Sequence, residues 1–506
     1  MRHLATCLAA LLLAACTPSD PAGWARKAAG ANRVDDKLEA LAQARKAPGD
    51  RQAAVPYLVE LLGQKSARVR GEAALVLGEI GDPSATPALV AAILPGSDRD
   101  GAEANKRIAG ALGQLRAREA VPALQQLATS GDAYTQVAAL DALGRIGDPA
   151  AVDTLIAVAT SPAVEPVTAQ HALMALGRVG DPRAAPVVIR MLFEERAGAS
   201  FYPQAAFAAI QIGKPMEAPV RAVLEGSDAA LADWARERKV PPGALYAKAA
   251  QLLGDVGGPD SVPALLARLS YKDARPDLQL FVRVFAAESL GRLRAREAVK
   301  PLCDLLARET DPVARDRYGD ALARIGDAGA LPALRTAAGS GEWDLRHGPL
   351  AAVARLGGEA EVPVVEGARS GCPADQKPVL EGMLAQLAAA RECTALACWA
   401  AKLQDPSAAV RDRAALEVGR AGGAADAPAL AAAATRAVND ESDLAARYHA
   451  LLGLQWLAGR EKLGAAGGEI ADKLDQMITA DRGRRLTAGV NEDALRLADR
   501  LRRTAE

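Results

Sequence analysis

The chain has 506 residues, half of them apolar, with 61 basic and 62 acidic side chains and a formal net charge of −1. That balance, with no long run of one sign, excludes the basic face that nucleic-acid binding requires. Aromatic residues make up only 3%, so Ala, Leu, Val and Gly supply most of the apolar surface; small apolar side chains suit closely packed helices better than sheets.

The chain opens on MRHLATCLAALLLAAC. Arg2 precedes an apolar stretch from Leu4 to Ala15 that is too short to span a bilayer, which marks residues 1–15 as a signal peptide. The end of that stretch, Leu13-Ala14-Ala15-Cys16, resembles the lipobox of bacterial lipoproteins. The resemblance implies cleavage before Cys16 and a diacylglycerol on its sulfur; the alternative is an ordinary signal in which Cys16 is incidental. Two or three acyl chains hold a protein on a membrane far better than one. With Thr17 rather than Asp after the cysteine, the family's sorting pattern implies the outer membrane, with the body facing the periplasm. Residues 16–34 read as the lipidated cysteine and a short tether, and no later stretch is apolar and long enough to span.

From residue 35 to 480 a thirteen-letter pattern returns: LGEIGDPSATPAL at Leu77, LGRIGDPAAVDTL at Leu143, LGRVGDPRAAPVV at Leu176, and the variants LGQLRAREAVPAL at Leu112 and LGRLRAREAVKPL at Leu290. Weaker anchors at Ala209, Leu253, Leu322, Val353, Leu384, Val418 and Leu452 complete a period mostly of 31 to 37 residues, the signature of a stacked-repeat architecture. In the copy at Leu143, Leu140, Leu143 and Ile146 share one helix face. Gly147 then stops the helix, Asp148 caps the next one, and Pro149 opens it; Val152, Leu155 and Ile156 face inward from that second helix. Asp82 and Asp181 take the same capping role. Where two prolines lie four apart, as at Pro83 and Pro87, the first starts a tight turn and the second the regular helix. Small residues such as Ala73, Ala74, Ala138 and Ala139 permit close approach.

The pattern resembles HEAT repeats, in particular the short subtype of phycobilisome lyases. The resemblance implies an all-α fold: a right-handed α-solenoid of about twelve stacked antiparallel helix pairs, an ARM-type superhelix. In this repeat class arginines near the start of first helices, here Arg70, Arg283, Arg315 and Arg411, bond to neighbouring loops such as those at Asp311 and Asp405, and act as a stacking ladder. Residues 481–506 are strongly charged and read as a polar C-terminal capping helix.

The repeat breaks in two places. The gap from Ala209 to Leu253 is the longest, and an irregular insertion near 193–250 gathers scarce aromatics, with Phe193, Phe207, Tyr271, Phe281 and Phe285 in the same region. Phe201, Tyr202, Trp234 and Tyr246 form a candidate binding patch, because insertions in repeats map to one face and aromatics anchor interfaces; alternatively these rings fill gaps in the packing. In ECTALAC, Cys393 stands where other copies carry Asp-Pro. A Cys393–Cys398 disulfide can pin that turn in an oxidising compartment, provided Cys393 lies outside the helix. Cys372 competes as a partner, and Cys303 reads as a buried filler.

No motif for catalysis, metal or cofactor is present. His171, His347 and His449 lie in separate repeats and none precedes Glu, unlike the paired His-Glu motifs of iron-binding helical-repeat enzymes; HExxH, CxxC, GxSxG and GxxxxGK[ST] are absent. The sequence therefore reads as a lipid-anchored, non-catalytic interaction scaffold of the bacterial cell envelope, binding an envelope protein and the membrane but no nucleic acid. The alternatives are an envelope protein that binds lipid, glycan or a small ligand, and a lyase-like enzyme.

Overall fold

The structure, a computed structural model, describes residues 18–94, 98–129, 132–339 and 341–505. The expected signal peptide and Cys16 lie outside the described residues. The fold is all-α, a solenoid of stacked helix pairs, and divides into two compact units, one ending at Ile212 and one beginning at Gly213.

In the first unit α1 (Pro21–Gly30) and α2 (Val34–Lys46) lead into α3 (Val55–Leu62), α4 (Ala67–Ile80), α5 (Thr86–Ala91), α6 (Arg99–Gln114), α7 (Val121–Thr129), α8 (Ala133–Ile146), α9 (Val152–Thr160), α10 (Pro166–Val179), α11 (Ala185–Met191) and α12 (Tyr202–Ile212). The stretch expected as a tether contains α1, which Asp20 caps and whose Ala25 and Ala28 are buried against α2. A two-residue hairpin, β1 (Glu195–Arg196) with β2 (Ala199–Ser200), sits before α12 and was not expected. Ala197 and Gly198 both take positive φ, as a tight hairpin turn requires.

The repeat letters take the roles read from them. Gly147 is left-handed at φ 70°, Asp148 accepts from the Ala150 amide at 2.9 Å, and Pro149–Ala151 is a single 3-10 turn before α9. Asp82 and Asp181 cap the same way. Leu140, Leu143, Val152 and Leu155 are buried; Ile156 is only half-buried, and Val158 takes the inward place. The Gly after each anchor Leu has a separate role. A Cβ on Gly113 or Gly144 would lie 3.0 Å from the Cα of Ala142 or Ala175 in the next repeat. Successive first helices thus touch backbone to backbone. In the RARE copies Arg116 and Arg294 hold the left-handed position themselves, at φ 49° and 55°, a conformation that costs a non-glycine residue roughly 1–2 kcal/mol.

The second unit runs through α13 (Glu217–Glu225), α14 (Ala229–Glu237), α15 (Pro242–Val256), α16 (Val262–Arg268), α17 (Pro276–Arg292), α18 (Val299–Leu306), α19 (Pro312–Ile325), α20 (Leu331–Ala338) and α21 (Trp343–Leu356). It continues with α22 (Val362–Glu366), α23 (Lys377–Glu392), α24 (Leu396–Lys402), α25 (Ala408–Ala421), α26 (Ala427–Ala434), α27 (Glu441–Arg460), α28 (Gly464–Ala480) and α29 (Ala488–Ala505). Three turns carry Gly-Gly in place of Gly-Asp, and a carboxylate from elsewhere replaces the cap. Glu217 reaches the Gly258 amide at 2.7 Å, Glu361 that of Gly358 at 2.7 Å, and Asp426 that of Gly423 at 3.0 Å. The ladder arginines bond to loop and helix-end carbonyls: Arg70 to those of Gln64 and Lys65, Arg283 to that of Tyr271, Arg315 to those of Leu306 and Glu309, and Arg411 to those of Asp405 and Pro406; Arg411 also pairs with the Asp443 carboxylate at 2.5 Å. The charged C-terminal segment is a helix, α29, that buries Ala494, Leu497 and Leu501 with the core around α25 to α28.

Repeats in a simple stack contact only their neighbours. The second unit departs from this. Trp456 of α27 donates to the Arg292 carbonyl at 2.8 Å across 164 residues of sequence, and Arg420 of α25 donates to the Ala323 carbonyl at 2.8 Å across 97. Helices α25 and α27 therefore close onto the C-terminal ends of α17, α19 and α21.

Candidate functional site

The four aromatics of the expected patch do not form one surface. Phe201 is fully buried, with the Arg196 guanidinium 4.9 Å above its ring, and Arg196 itself is held by the carbonyls of Ser161 and Ala159 at 3.0 Å. Phe201 is thus a packing residue of the hairpin, which corrects its assignment as a binding anchor. Tyr202 is half-buried at the start of α12 in the first unit. Trp234 and Tyr246 belong to the second unit, both half-buried. Arg238 covers the Trp234 ring at 4.7 Å. Tyr246 is wedged between Arg268, 3.9 Å from its centroid, and the edge of Tyr271 at 5.6 Å. Tyr271 in turn donates to Asp273 at 2.5 Å, and burial together with that carboxylate pushes its phenol well above the usual range. Gap-filling accounts for most of these rings.

The insertion nevertheless builds a cleft of about 390 Å³ between α13, α14 and the start of α15. Val223, Leu231, Ala235 and Leu245 form an apolar floor, Tyr246 closes one end, and Arg236 and Lys239 stand at the rim. Lys239 takes φ 57°, which turns the chain sharply from α14 into Pro241-Pro242.

In the first unit a groove of about 440 Å³ crosses α2, α4 and α6, three successive first helices. Arg45, Arg68 and Arg107 line it together with Glu72, Asp100 and Glu103; Arg107 pairs with Glu72 across adjacent repeats. The row continues with Asp141 of α8, which meets His171 at 3.0 Å and Arg178 at 3.6 Å on α10. Beside it two apolar side chains occupy the second position of successive first helices and face solvent, Tyr134 at 80% exposure and Val167 at 51%.

The closure in the second unit is polar. Asp412 of α25 is buried and accepts from Arg355 at 2.7 Å, His449 at 2.5 Å and Gln386 at 3.2 Å. Burial alone would raise its carboxyl; Arg355 and His449 outweigh this and hold it well below the usual carboxylate range. Asp320 pairs with Arg324 and Arg355, and Arg324 lies 5.0 Å from the Tyr448 ring. Arg413 donates to the carbonyls of Ala354 at 2.7 Å and Gly357 at 2.6 Å. The sequence reading did not single these residues out apart from His449. The signal it held was Arg411-Asp412-Arg413 in a row on one helix, where at least one charge must face a neighbour. Cys393, outside α23 as its C-cap, is bonded to Cys398 with Cα atoms 5.3 Å apart; Cys372 and Cys303 are free and half-buried, so Cys303 is not the fully buried filler expected. Among the described residues no group of three or more His, Cys, Asp or Glu is placed to hold a metal ion, and no helix is long and apolar enough to cross a membrane.

Fold and sites together define a class: an α-solenoid that presents repeat-spaced side chains. Three stretches of the chain, residues 35–104, 98–170 and 231–323, match the family model of HEAT repeats. Among solved structures it is similar to the CpcE–CpcF complex of phycocyanin lyase from Nostoc sp. PCC7120, with 20% identity over 55% of this chain and 92% of that one and a TM-score of 0.28. Human deoxyhypusine hydroxylase matches at 21% identity over 66% and 94%, with a TM-score of 0.23. A variant of Kap121p matches at 12% over 95% and 65%, with a TM-score of 0.47. A comparison with curated proteins finds no match.

Proposed function

We propose that the chain is a lipid-anchored, non-catalytic adaptor of the bacterial cell envelope, held by Cys16 on the outer membrane and binding an envelope protein through its first unit. The observation that carries the binding half of this reading is the groove across α2, α4 and α6. It spans successive repeats, carries both signs of charge, and continues beside the exposed Tyr134 and Val167. A surface of that kind fits an extended protein partner, for which a preformed scaffold limits the ordering cost of binding. The anchor rests on the Leu13-Ala14-Ala15-Cys16 sequence, and tethering raises the effective concentration near membrane partners.

The anchor is tested by mass spectrometry of the mature N-terminus and by fractionation of Cys16→Ser, which is expected to leave the membrane fraction; an unmodified Cys16 refutes it. The adaptor role is tested with the purified chain as bait on solubilised envelope, beside an Arg68→Glu/Arg107→Glu variant of equal melting temperature. A stoichiometric protein partner lost with the variant is expected. A retained small molecule with no protein partner would favour a second reading, ligand binding in the cleft under Tyr246.

A further inference from the structure

The closure of the second unit brings together arginines from three distant segments. Arg294 follows the end of α17, Arg420 lies in the last turn of α25, and Arg460 ends α27. Two of the guanidinium groups meet at the end of α25: Arg294 donates to the Arg420 carbonyl at 3.2 Å, and Arg460 to those of Gly419 and Gly422 at 2.9 Å. Arg420 itself donates to the Ala323 carbonyl, and Gly326 leaves room for it. Arg296, exposed, stands two residues beyond Arg294. Helix C-termini carry partial negative charge that favours nearby cations; the end of α25 holds two, Arg294 and Arg460, and the end of α19 holds Arg420.

Of the carboxylates nearby, Glu417 pairs with Arg420 at 2.9 Å and offsets one of the four cations, and Glu461 accepts from the Ala424 amide at 2.8 Å. Burial, then Arg420, Arg460 and Arg296, depress the Arg294 guanidinium to about 10, so the like charges are felt. Arg294 also holds its left-handed backbone where most copies use Gly, with its guanidinium 5.4 Å over the Trp456 ring.

We propose that Arg294, Arg296, Arg420 and Arg460 form a binding site for a phosphate-type oxyanion, which the closure of α25 and α27 assembles. Planar guanidinium donors match such an anion in geometry as well as charge. Arg296 and Arg460, both exposed, meet the ligand first, and Arg294 and Arg420 supply the fixed floor. The anion stands either free in solution or on a lipid headgroup, and the chemistry of recognition is the same. This site is independent of the adaptor reading, which rests on the first unit.

The test uses the full chain with Cys16→Ser, so that no acyl group carries it to vesicles. Binding of inorganic pyrophosphate is measured by calorimetry. Co-sedimentation is measured with phosphatidylcholine vesicles with and without phosphatidylglycerol, at fixed salt. Arg296→Glu/Arg460→Glu is expected to weaken binding by about tenfold or more, the scale of a lost charged hydrogen bond. Arg118→Glu/Arg369→Glu, which reverses two exposed arginines elsewhere, leaves it within about twofold, the small effect expected of exposed charges outside the site. Arg296→Gln, a single exposed change, repeats the test should the double variant melt early. Pyrophosphate binding alone assigns a free anion, and binding only to phosphatidylglycerol vesicles assigns a headgroup. The proposal is overturned if neither probe binds, or if the cluster and control variants weaken binding equally or not at all.

Discussion

Asp412→Asn tests the polar closure of the second unit. The carboxylate is buried and serves Arg355, His449 and Gln386 at once. Asn keeps the shape but removes the charge and leaves one acceptor oxygen, so Arg355 and the buried His449 both lose this carboxylate, and Arg355 is left with Asp320, at 3.3 Å and shared with Arg324. Removing one side of a buried ion pair costs about 3–5 kcal/mol. At roughly 1.6 °C per kcal/mol for a unit of this size, the melting temperature of the second unit falls by roughly 5–8 °C. Asp304→Asn is the control, since its carboxylate meets Lys300 at 2.9 Å at the surface, where pairs contribute about 0–1 kcal/mol. Differential scanning calorimetry reads both. A paired replacement, Asp412→Leu with Arg355→Met, should recover much of the loss, because exchanging a buried ion pair for apolar packing is often neutral. The folded carboxyl is depressed, so its contribution is present above the unfolded value of about 3.9 and is lost as pH falls below it. The second unit of the native chain should therefore loosen below about pH 4, and Asp412→Asn should flatten that dependence. An Asp412→Asn chain that melts within about 2 °C of the Asp304→Asn control would refute the reasoning.

Other substitutions probe single contacts. Gly326 and Gly81 both sit at positive φ, but a Cβ on Gly326 would meet Arg420 at 2.5 Å while Gly81 faces open space. Gly81→Ala should destabilise by about 1 kcal/mol and Gly326→Ala by clearly more, read by denaturant unfolding; equal effects would show that Arg420 does not dock there. Reduction of Cys393–Cys398 opens a short loop and should lower stability by about 2 kcal/mol, seen as an earlier transition with reductant that a Cys393→Ala/Cys398→Ala variant no longer shows. Glu217→Gln removes the carboxylate that serves Lys214, Gly258 and Ser261. Unfolding curves should report a loss of about 1–3 kcal/mol, and hydrogen exchange should show the turn at 258–261 less protected.

The local grammar of the repeat was legible because each letter answers a local question. A stop needs positive φ at Gly147, a turn needs an acceptor at Asp148, and a first turn tolerates Pro149. What escaped was set between elements. The Gly of each Leu-Gly pair reads as a helix weakness until the next repeat's Ala is seen against it. Phe201 reads as an interface ring until the hairpin and Arg196 cover it. The disulfide was foreseeable because loss of the Asp-Pro cap and two cysteines five apart fall in one turn.

Closure was not legible from period, because it depends on the accumulated rotation from one repeat to the next, and small local departures move that sum. Helix α21 holds two such departures: Gly348, whose backbone meets Gly319 of α19, and Pro349 within the helix, which cannot donate to the ladder. Past them the chain carries charges where an open stack would keep apolar or solvated residues, at Asp412, Arg413 and His449. Those residues make sense only if α25 and α27 find the ends of α17, α19 and α21. The consequence for function is positional. In the second unit the ends of those helices are taken up by the chain itself, so a partner there meets the cleft under Tyr246 or the arginines gathered around Arg420. In the first unit the groove crosses successive first helices, α2, α4 and α6, and the proposed adaptor role rests on that repeat-spaced surface.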